Sequence, residues 1–255
     1  MNKLITSKTD YNRLPLIITN PEKFSEKEKI YLELRKQEGR IYTDEEVKLL
    51  PKIPAGHPLA FEWKIRKKSS EKLVKYLSSK KLPLTILEIG CGNGWLSYSL
   101  AKIAGSEVTG LDINLTELNQ ATNVFSDQLN LQFVYADIFD TWFDEKKFNI
   151  IVMAAAVQYF PEFEKLIDRL LSLLAKGGEI HLLDSPFYKS EKESDEAHKR
   201  SADYFSKRGS SSMSQYYFHH SRLFLNNYNF RLIKPSLVNK ISYSKVFPWV
   251  IIYKT

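Results

Sequence analysis

Thr85-Ile86-Leu87-Glu88-Ile89-Gly90-Cys91-Gly92-Asn93-Gly94-Trp95-Leu96 is the stretch that decides the fold of this 255-residue chain. An apolar run rich in β-branched residues stops at a carboxylate and breaks into three alternate glycines, after which a helical pattern begins. Glycine has no Cβ, so the backbone can turn sharply there and its N–H groups can come close to a ligand. The pattern predicts a strand, a tight loop and a helix, with a ligand beyond the carboxyl end of the strand.

The spacing of the glycines separates two kinds of ligand. A dinucleotide fingerprint reads G-x-G-x-x-G, but the place of its third glycine is taken by Trp95, and the third glycine here is Gly94. Glu88 would also repel a pyrophosphate bound at the loop amides. A cationic amino group matches that carboxylate better. An ordinary glycine-rich turn between a strand and a helix remains the alternative at this point.

The pattern E-x-G-x-G-x-G resembles motif I of the class I S-adenosylmethionine-dependent methyltransferases, closest in style to the broad small-molecule group. In that family the loop cradles the methionyl end of the cofactor. The resemblance implies S-adenosyl-L-methionine as the cofactor, a methyltransferase activity, and cofactor-binding roles for the motif I residues Glu88, Gly90, Cys91, Gly92 and Gly94.

Alternating strand and helix patterns predict the rest of the fold. Apolar strand patterns cover residues 84–89, 108–113, 131–135, 148–153 and 179–183, and helical patterns begin near Gly94, Asn114 and Pro161. This alternation predicts a parallel sheet with right-handed crossovers. Residues 230–233 and 249–253 read as a closing antiparallel pair. The resemblance implies a Rossmann-like α/β fold: a seven-stranded, mostly parallel sheet with an antiparallel C-terminal hairpin and helices on both faces.

The same patterns divide the chain into a core and two additions. Residues 82–255 are expected to form the methyltransferase core, and residues 1–81 a helical N-terminal extension or lid. Residues 185–217 are neither strand-like nor needed to complete the sheet, so we expect a lid or acceptor insertion there. Segments 55–68 and 185–220 flank the carboxyl edge of the predicted sheet and would form the lid and acceptor pocket together.

Two further carboxylates follow the second and third predicted strands. Asp112 ends the second strand, where a carboxylate can accept both hydroxyls of a ribose, although an N-cap of the next helix is the alternative. In the family, the matching motif II acid binds the ribose, and Ile113 follows it. Asp137 resembles the motif III acid that accepts a hydrogen bond from the adenine amino group, with Ile138 against the purine. Three acids at successive strand ends are difficult to explain as packing.

The fourth strand continues the resemblance with one departure. Residues 148–161 match the family pattern F-D-x-V-x-x-x-x-x-L-x-x-x-P, with Asn149 in place of the usual Asp. Small residues such as Ala154 leave room for the methionyl arm of the cofactor, and Gln158 could line the cleft. The Asn/Asp-Pro-Pro-Tyr/Phe segment of exocyclic-amine methyltransferases is absent, and there is no second cysteine to attack a pyrimidine. Nucleobase methylation is therefore disfavoured.

The catalytic residue is not identified by the sequence. Methyl transfer from a sulfonium depends largely on alignment and exclusion of water, and a base is needed only for an acceptor that holds its proton. His219, His220 and Tyr188 are the candidates, with a helix cap or polar surface as the alternative for the histidines. Trp63, Arg66, Tyr188 and Tyr217 are assigned to the lid and acceptor pocket. We expect no metal.

Composition and charge limit the partners. The net charge of +7 is uneven: residues 1–82 hold 19 Lys and Arg against 11 Asp and Glu, and residues 83–255 hold 18 against 19. A solvated helical face is the first interpretation, and an anionic partner the second. The only cysteine, Cys91, excludes an internal disulfide. With no apolar leader and a longest apolar run of 150–157, we expect a cytoplasmic protein with no membrane span.

These observations favour a small-molecule acceptor. An RNA methyltransferase that uses the basic N-terminal segment is one alternative, and a protein that binds S-adenosylmethionine without catalysis is another. The sequence does not specify the oligomeric state.

Overall fold

The structure is a computed structural model that describes residues 14–81, 83–233 and 247–254. It divides into two compact units, each treated separately below. The first unit comprises Met1–Lys23 and Tyr42–Asp140, and the second comprises Phe24–Ile41 and Thr141–Thr255.

The elements follow one another in this order. They are β1 (Leu16–Ile17), α1 (Ser25–Gln37), α2 (Asp44–Leu49), α3 (Ala60–Ser78), β2 (Leu84–Ile89), α4 (Trp95–Ala101), β3 (Ser106–Asp112), α5 (Leu115–Val124), β4 (Leu131–Tyr135), β5 (Phe148–Ala154), α6 (Phe163–Leu173), β6 (Leu174–Leu183), β7 (Phe187–Tyr188), α7 (Glu191–Ser206), β8 (His220–Ser221), β9 (Phe230–Ile233) and β10 (Trp249–Tyr253). Short 3-10 helices cover Pro21–Phe24, Thr141–Phe143, Val157–Tyr159, Ser211–Tyr216 and Arg222–Asn227.

The strands of the first unit are parallel and lie in the order β1, β4, β3, β2. Their apolar side chains are largely buried, as expected for strands covered on both faces. Glu88 lies opposite Gly110 in the register, and Asp112 lies opposite Tyr135. The carboxyl ends of β2, β3 and β4 therefore meet at one edge.

Local capping signals determine where two helices of the first unit begin. The Thr43 side chain accepts from the N–H of Glu46, and the Glu46 side chain accepts from the N–H of Thr43, so α2 starts with a capping box. The Asn114 side chain accepts from the N–H of Glu117 at the start of α5. The start at Asn114 agrees with the sequence prediction.

Part of the N-terminal extension packs within this unit. The side chain of Gln120 in α5 donates to the backbone oxygen of Tyr42 at 2.8 Å, and the Tyr42 hydroxyl accepts from the Trp63 indole at 2.8 Å. Strand β1, which the sequence analysis did not predict, pairs with β4. Two residues are too few to produce a readable alternation of polar and apolar side chains.

The strands of the second unit lie in the order β5, β6, β10, β9. The β5–β6 pair is parallel, whereas β10 pairs antiparallel with both β6 and β9. This confirms the antiparallel C-terminal pair. The connection between β9 and β10 runs through residues 234–246, which lie outside the described residues. A separate two-stranded sheet pairs β7 with β8.

Helix α1 also belongs to the second unit, although the sequence assigns it to the N-terminal extension. Leu34 of α1 forms a buried cluster with Phe205 of α7 and Met213. Neither α7 nor the 3-10 helix at Ser211–Tyr216 was predicted from the sequence. In α7 only Ser194, Ala197 and Phe205 are buried, so its apolar stripe is too sparse to signal a helix without these partners.

The mixed α/β fold is confirmed, with parallel strands in each unit and an antiparallel C-terminal pair. Strand β1, which is parallel to β4, was not among the predicted strands. Among the helices of the described residues, none has the length and apolar character needed to cross a bilayer.

Candidate functional site

The loop after β2 turns through three left-handed glycines. The φ angles of Gly90, Gly92 and Gly94 are 72°, 52° and 78°. Residues with a Cβ adopt this conformation at a cost of roughly 1–2 kcal/mol each. A Cβ on Gly94 would lie only 2.5 Å from Cζ of Phe133 and 2.9 Å from Cβ of Ala121. The third glycine is therefore required both by the turn and by close packing.

The loop uses most of its own N–H groups internally. The N–H groups of Gly90 and Cys91 donate to the oxygen of Leu111 at 2.8 and 3.1 Å, and that of Gly94 donates to the oxygen of Cys91 at 3.0 Å. The N–H of Gly92 donates to Asp112. With these groups engaged, the loop offers few donors to an anion, unlike a phosphate-binding loop.

Asp112 connects the glycine loop to the next turn. Its Oδ2 atom accepts from the N–H of Gly92 at 2.7 Å, and its Oδ1 atom accepts from the N–H groups of Ile113 and Asn114 at 2.7 and 2.9 Å. Ile113 is half-buried beside it. The carboxylate predicted to bind the ribose thus also holds the two loops between which a nucleoside would lie.

Glu88 is buried at the end of β2, with 2% of its surface exposed. Its Oε2 atom accepts from the Ser97 hydroxyl at 2.5 Å. A Cβ on Gly110 would lie 2.7 Å from that Ser97 oxygen, so the neighbouring strand needs a glycine there. Burial raises the pKa of Glu88 from its ordinary value of 4.5 to about 8, and the nearby Asp112 carboxylate adds to this rise while the hydrogen bond from Ser97 opposes it.

Asn93 is a loop residue that sequence reasoning missed. It is 8% exposed, and its Oδ1 atom is buried with no hydrogen-bond partner in the described part of the chain. A buried amide oxygen usually has a partner. The feature of the sequence that could have identified Asn93 is its position as an amide side chain between two glycines of the loop. Glu117 also approaches the loop, since its Oε2 atom lies 3.2 Å from the position of a Cβ on Gly92.

Cys91 packs inside the loop and is not a reactive thiol. It is buried, and burial together with the carboxylates of Asp112, Glu88 and Glu117 raises its pKa well above the ordinary value. A protonated thiol is a poor nucleophile. The carboxylates of Asp112 and Glu117 contribute to this shift, so negative charge lies near the loop.

Asp137 follows β4, close to the N-terminal segment. Its Oδ2 atom forms an ion pair with Lys23 at 2.7 Å, its Oδ1 atom accepts from the N–H of Phe139 at 3.1 Å, and its own N–H donates to the Thr19 hydroxyl at 2.9 Å. Ile138 is buried. Lys23 was not predicted as a neighbour of this acid, because it lies 114 residues away in sequence.

Two predicted cofactor residues, Ala154 and Gln158, lie in the second unit. Ala154 ends β5, and the 3-10 helix Val157–Tyr159 follows it. The buried Gln158 donates to the oxygen of Ala155 at 2.6 Å and accepts from the Ser185 hydroxyl at 3.1 Å. Its own backbone oxygen accepts from the N–H of Phe218 at 2.7 Å.

The candidate catalytic residues lie in the second unit, next to this turn. The Nε2 atom of His220 lies 3.3 Å from the oxygen of Val157. The Nε2 atom of His219 lies 3.0 Å from the Ser201 hydroxyl, and its Nδ1 atom is buried with no hydrogen-bond partner in the described ranges. The rings of Tyr188 and Tyr217 lie 5.6 and 5.3 Å from that of His219.

Burial alters the protonation of these groups. It is the main cause that lowers the pKa of His219 to about 4, with His198, His220 and Arg200 adding to the effect. It also lowers the pKa of His220 and raises the pKa of Tyr188 and of Tyr217. At neutral pH the two histidines are uncharged, and the two tyrosines keep their protons.

Trp63 and Arg66 lie on α3 in the first unit. Trp63 is buried, and its ring packs edge to face against Trp95, the first residue of α4, at 5.4 Å. Arg66 pairs with Glu62 at 3.0 Å and lies over the Trp63 ring. Trp63 therefore packs against the helix that follows the glycine loop, and Arg66 covers the Trp63 ring.

No group of three or more metal-ligating side chains occurs within the ranges that the structure describes.

Comparison with known proteins finds similarity to methyltransferases. Residues 86–178 match the family model described as a methyltransferase domain. Malonyl-[acyl-carrier protein] O-methyltransferase 1 of Ilyobacter polytropus is 32% identical over 117 residues, which are 46% of this chain and 43% of that protein. Ubiquinone biosynthesis O-methyltransferase of Coxiella burnetii is 32% identical over 96 residues, 37% of this chain and 41% of that protein. The match thus spans less than half the length of either relative.

Among solved structures, the CurJ carbon methyltransferase is similar over 92% of this chain and 69% of its own chain. The TM-score is 0.59 and the identity 14%. At this identity the likeness shows a common fold.

Proposed function

We propose that this chain transfers a methyl group from S-adenosyl-L-methionine to a small-molecule acceptor, because residues 86–178 match a family model described as a methyltransferase domain. The relatives' names include oxygen and carbon methyltransferases, so the proposal does not specify the accepting atom.

The composition of the glycine loop supports this proposal most directly. The carboxylates of Asp112 and Glu117 act on the buried loop thiol, and the Asn93 oxygen lacks a partner among the described residues. Such a site suits a ligand with a cationic, hydrogen-bond-donating end. A pyrophosphate would meet negative charge there.

The predicted cofactor residues at the ends of β3 and β4 then have roles. Asp112 would accept from the ribose, Asp137 from the adenine amino group, and Ile113 and Ile138 would contact the base. When bound, the cofactor supplies an electrophilic methyl group on a sulfonium. Asp112 and Asp137 would hold the nucleoside part, and transfer of the methyl group would leave S-adenosylhomocysteine.

We place the acceptor pocket in segment 185–220, with His219 as the proton acceptor when the nucleophile carries a proton. The unpartnered Nδ1 atom of His219 in the described structure and the adjoining Tyr188 and Tyr217 rings support this role. Residues 1–81 and 185–217 remain our proposed additions to the core, and the contribution of segment 55–68 to a lid remains a prediction.

Two measurements test the function. Calorimetry with S-adenosylhomocysteine should show binding, and nicotinamide nucleotides should give no heat. Incubation with S-adenosylmethionine labelled on its methyl group and a cell extract should then label the small-molecule fraction. Cofactor binding with no labelled acceptor in any fraction would instead indicate a non-catalytic binding protein. Absence of binding would refute the proposal.

RNA methylation is a second candidate function, supported by a basic surface on α3. Lys64, Lys68, Lys72 and Lys75 are exposed and lie on one face of α3 at helical spacing. If RNA is the substrate, label should enter the RNA fraction, and RNA binding should weaken steeply with salt. Replacement of Lys64 and Lys72 by Gln should then weaken RNA binding without changing cofactor affinity.

A further inference from the structure

We propose that the ammonium group of Lys23 competes with the adenine amino group of the cofactor for the carboxylate of Asp137 and thereby lowers the affinity for the cofactor. The inference rests on the proposed function, because Asp137 is the acid assigned to adenine there. It identifies a residue of this chain, outside the predicted cofactor residues, that sets the strength of cofactor binding.

The first argument is the occupancy of the Asp137 side chain. Its Oδ2 atom lies 2.7 Å from Nζ of Lys23, and its Oδ1 atom accepts from the N–H of Phe139 at 3.1 Å. Both carboxylate oxygens therefore already accept from donors of the chain itself. The adenine amino group is a neutral N–H donor, whereas the ammonium of Lys23 carries a full charge and binds a carboxylate more strongly. Adenine must consequently displace Lys23 or share an oxygen with it.

The second argument is the way in which the backbone holds Lys23 beside this acid. The N–H of Thr19 donates to the oxygen of Tyr135 at 3.4 Å, and the Tyr135 hydroxyl donates to the oxygen of Pro21 at 3.3 Å. The Thr19 hydroxyl accepts from the N–H of Asp137 at 2.9 Å. The segment that carries Lys23 is thus anchored to β4 and to the turn after it, within the first unit. A donor tethered in this way competes at a high effective concentration.

The third argument is the exposure of the ion pair. The Lys23 side chain is 54% exposed and that of Asp137 is 20% exposed, so solvent reaches both groups. Exposed ion pairs contribute little to stability, and salt screens them. The ammonium can therefore leave Asp137 for solvent when adenine binds, and we expect the competition to change the affinity about two- to fivefold.

The test measures binding of S-adenosylhomocysteine to the full chain by calorimetry. Wild type is compared with Lys23→Met, which keeps most of the length of the side chain but removes its charge. Lys165→Met is the matched control, since Lys165 pairs with Glu162 at 3.1 Å and its side chain is 61% exposed. Asp137→Ala, alone and combined with Lys23→Met, shows whether the effect of Lys23 depends on the acid. Thermal unfolding checks that each variant is folded.

We expect Lys23→Met to bind S-adenosylhomocysteine about two- to fivefold more tightly than wild type. Lys165→Met should change the affinity less than about 1.5-fold. In the Asp137→Ala background the contested carboxylate is gone, so Lys23→Met should also change the affinity less than about 1.5-fold. Raising the NaCl concentration from about 20 mM to about 500 mM should tighten binding by wild type about twofold, because salt screens the ion pair, and should leave binding by Lys23→Met unchanged.

Weaker binding by Lys23→Met would overturn the inference, because Lys23 would then help to hold the cofactor. Unchanged binding would show that one oxygen accepts from both donors, and equal tightening in the Asp137→Ala background would show that the effect does not involve the acid. Either result also overturns the inference. The proposed function stands in these three cases, since wild type binds the ligand.

If neither wild type nor Lys23→Met binds S-adenosylhomocysteine, the proposed function fails and the inference fails with it. The salt titration of wild type needs no substitution, so it decides the matter if Lys23→Met does not fold.

Discussion

The Oδ2 atom of Asp112 accepts a hydrogen bond from the backbone N–H of Gly92 at 2.7 Å. The two residues lie 20 positions apart, one at the end of β3 and the other in the loop after β2. The parallel register, with Glu88 opposite Gly110, brings these two strand ends together. The acid assigned to the ribose therefore also holds the glycine loop in its conformation.

This dual role predicts that Asp112→Asn is destabilising even without a ligand. An Asn side chain has one oxygen, so it cannot accept from both Gly92 and the Ile113–Asn114 turn, and an NH₂ group would face an N–H. We expect a loss of about 1.5–3 kcal/mol in the free energy of unfolding, measured by urea denaturation.

Asp127→Asn is the matched control, since it makes the same change at an exposed position of the same unit. It should change the free energy of unfolding by less than about 0.5 kcal/mol. Equal effects of the two substitutions would contradict the role assigned to Asp112.

Gly94→Ala should test two structural requirements at that position, which are a left-handed backbone conformation and close packing against Phe133. The new Cβ would carry the cost of a left-handed φ of 78° and would also lie 2.5 Å from Cζ of Phe133. Gly39→Ala is the control, because Gly39 has a φ of 66° but no atom within 4 Å of the added Cβ.

We expect Gly39→Ala to cost about 1 kcal/mol, and Gly94→Ala about 1–3 kcal/mol more. Denaturant unfolding measures both. If the two variants lose the same stability, the close approach to Phe133 has no energetic consequence.

Ionisation of Glu88 should lower the free energy of unfolding as the pH rises. Its pKa is about 8 in the folded chain and 4.5 ordinarily, so between these values the folded state holds a proton that the unfolded state has lost. The contribution of Glu88 to the free energy of unfolding decreases by about 1.4 kcal/mol per pH unit between these two pKa values and is constant at higher pH.

The measurement is the free energy of unfolding from pH 5 to 9 for ligand-free wild type and Glu88→Gln. Gln can still accept from Ser97 but does not titrate. The difference between the two proteins should grow with pH up to about 8. A difference independent of pH would show that Glu88 ionises normally.

His219 should remain neutral well below its ordinary pKa. Its pKa of about 4 lies below the usual 6.5, so the folded state binds fewer protons than the unfolded state between these values. Its contribution to stability is complete above pH 6.5 and is lost as the pH falls towards 4. Long-range ¹H–¹⁵N spectra of the ring should show a midpoint near 4, with His219→Gln providing the assignment. A midpoint near 6.5 would contradict the burial of this ring.

Some elements were predictable to the residue. The bounds of β2, β4, β9 and β10 agree with the strands read from the sequence. In each, a short apolar run lies between clear breaks, and the signal involves only neighbouring residues. The helix starts at Thr43 and Asn114 were predictable for the same reason, since a cap acts within three residues.

Helix α7 and strand β1 were not predictable in this way. Helix α7 is stabilised through Phe205, which packs with Leu34 and Met213, and those partners are distant in the sequence. Strand β1 has two residues, and its pairing with β4 determines that it is a strand. Both depend on contacts that no local pattern encodes.

The α/β fold, the glycine loop and the three acids at the strand ends follow from the amino-acid sequence, because φ preferences, periodicity and capping act over a few residues. The contacts of those groups follow from the three-dimensional fold: Asp112 accepts from Gly92, Glu88 accepts from Ser97, and the Asn93 oxygen lacks a partner among the described residues. Hydrogen bonding and burial at this site depend on the register of strands far apart in the chain.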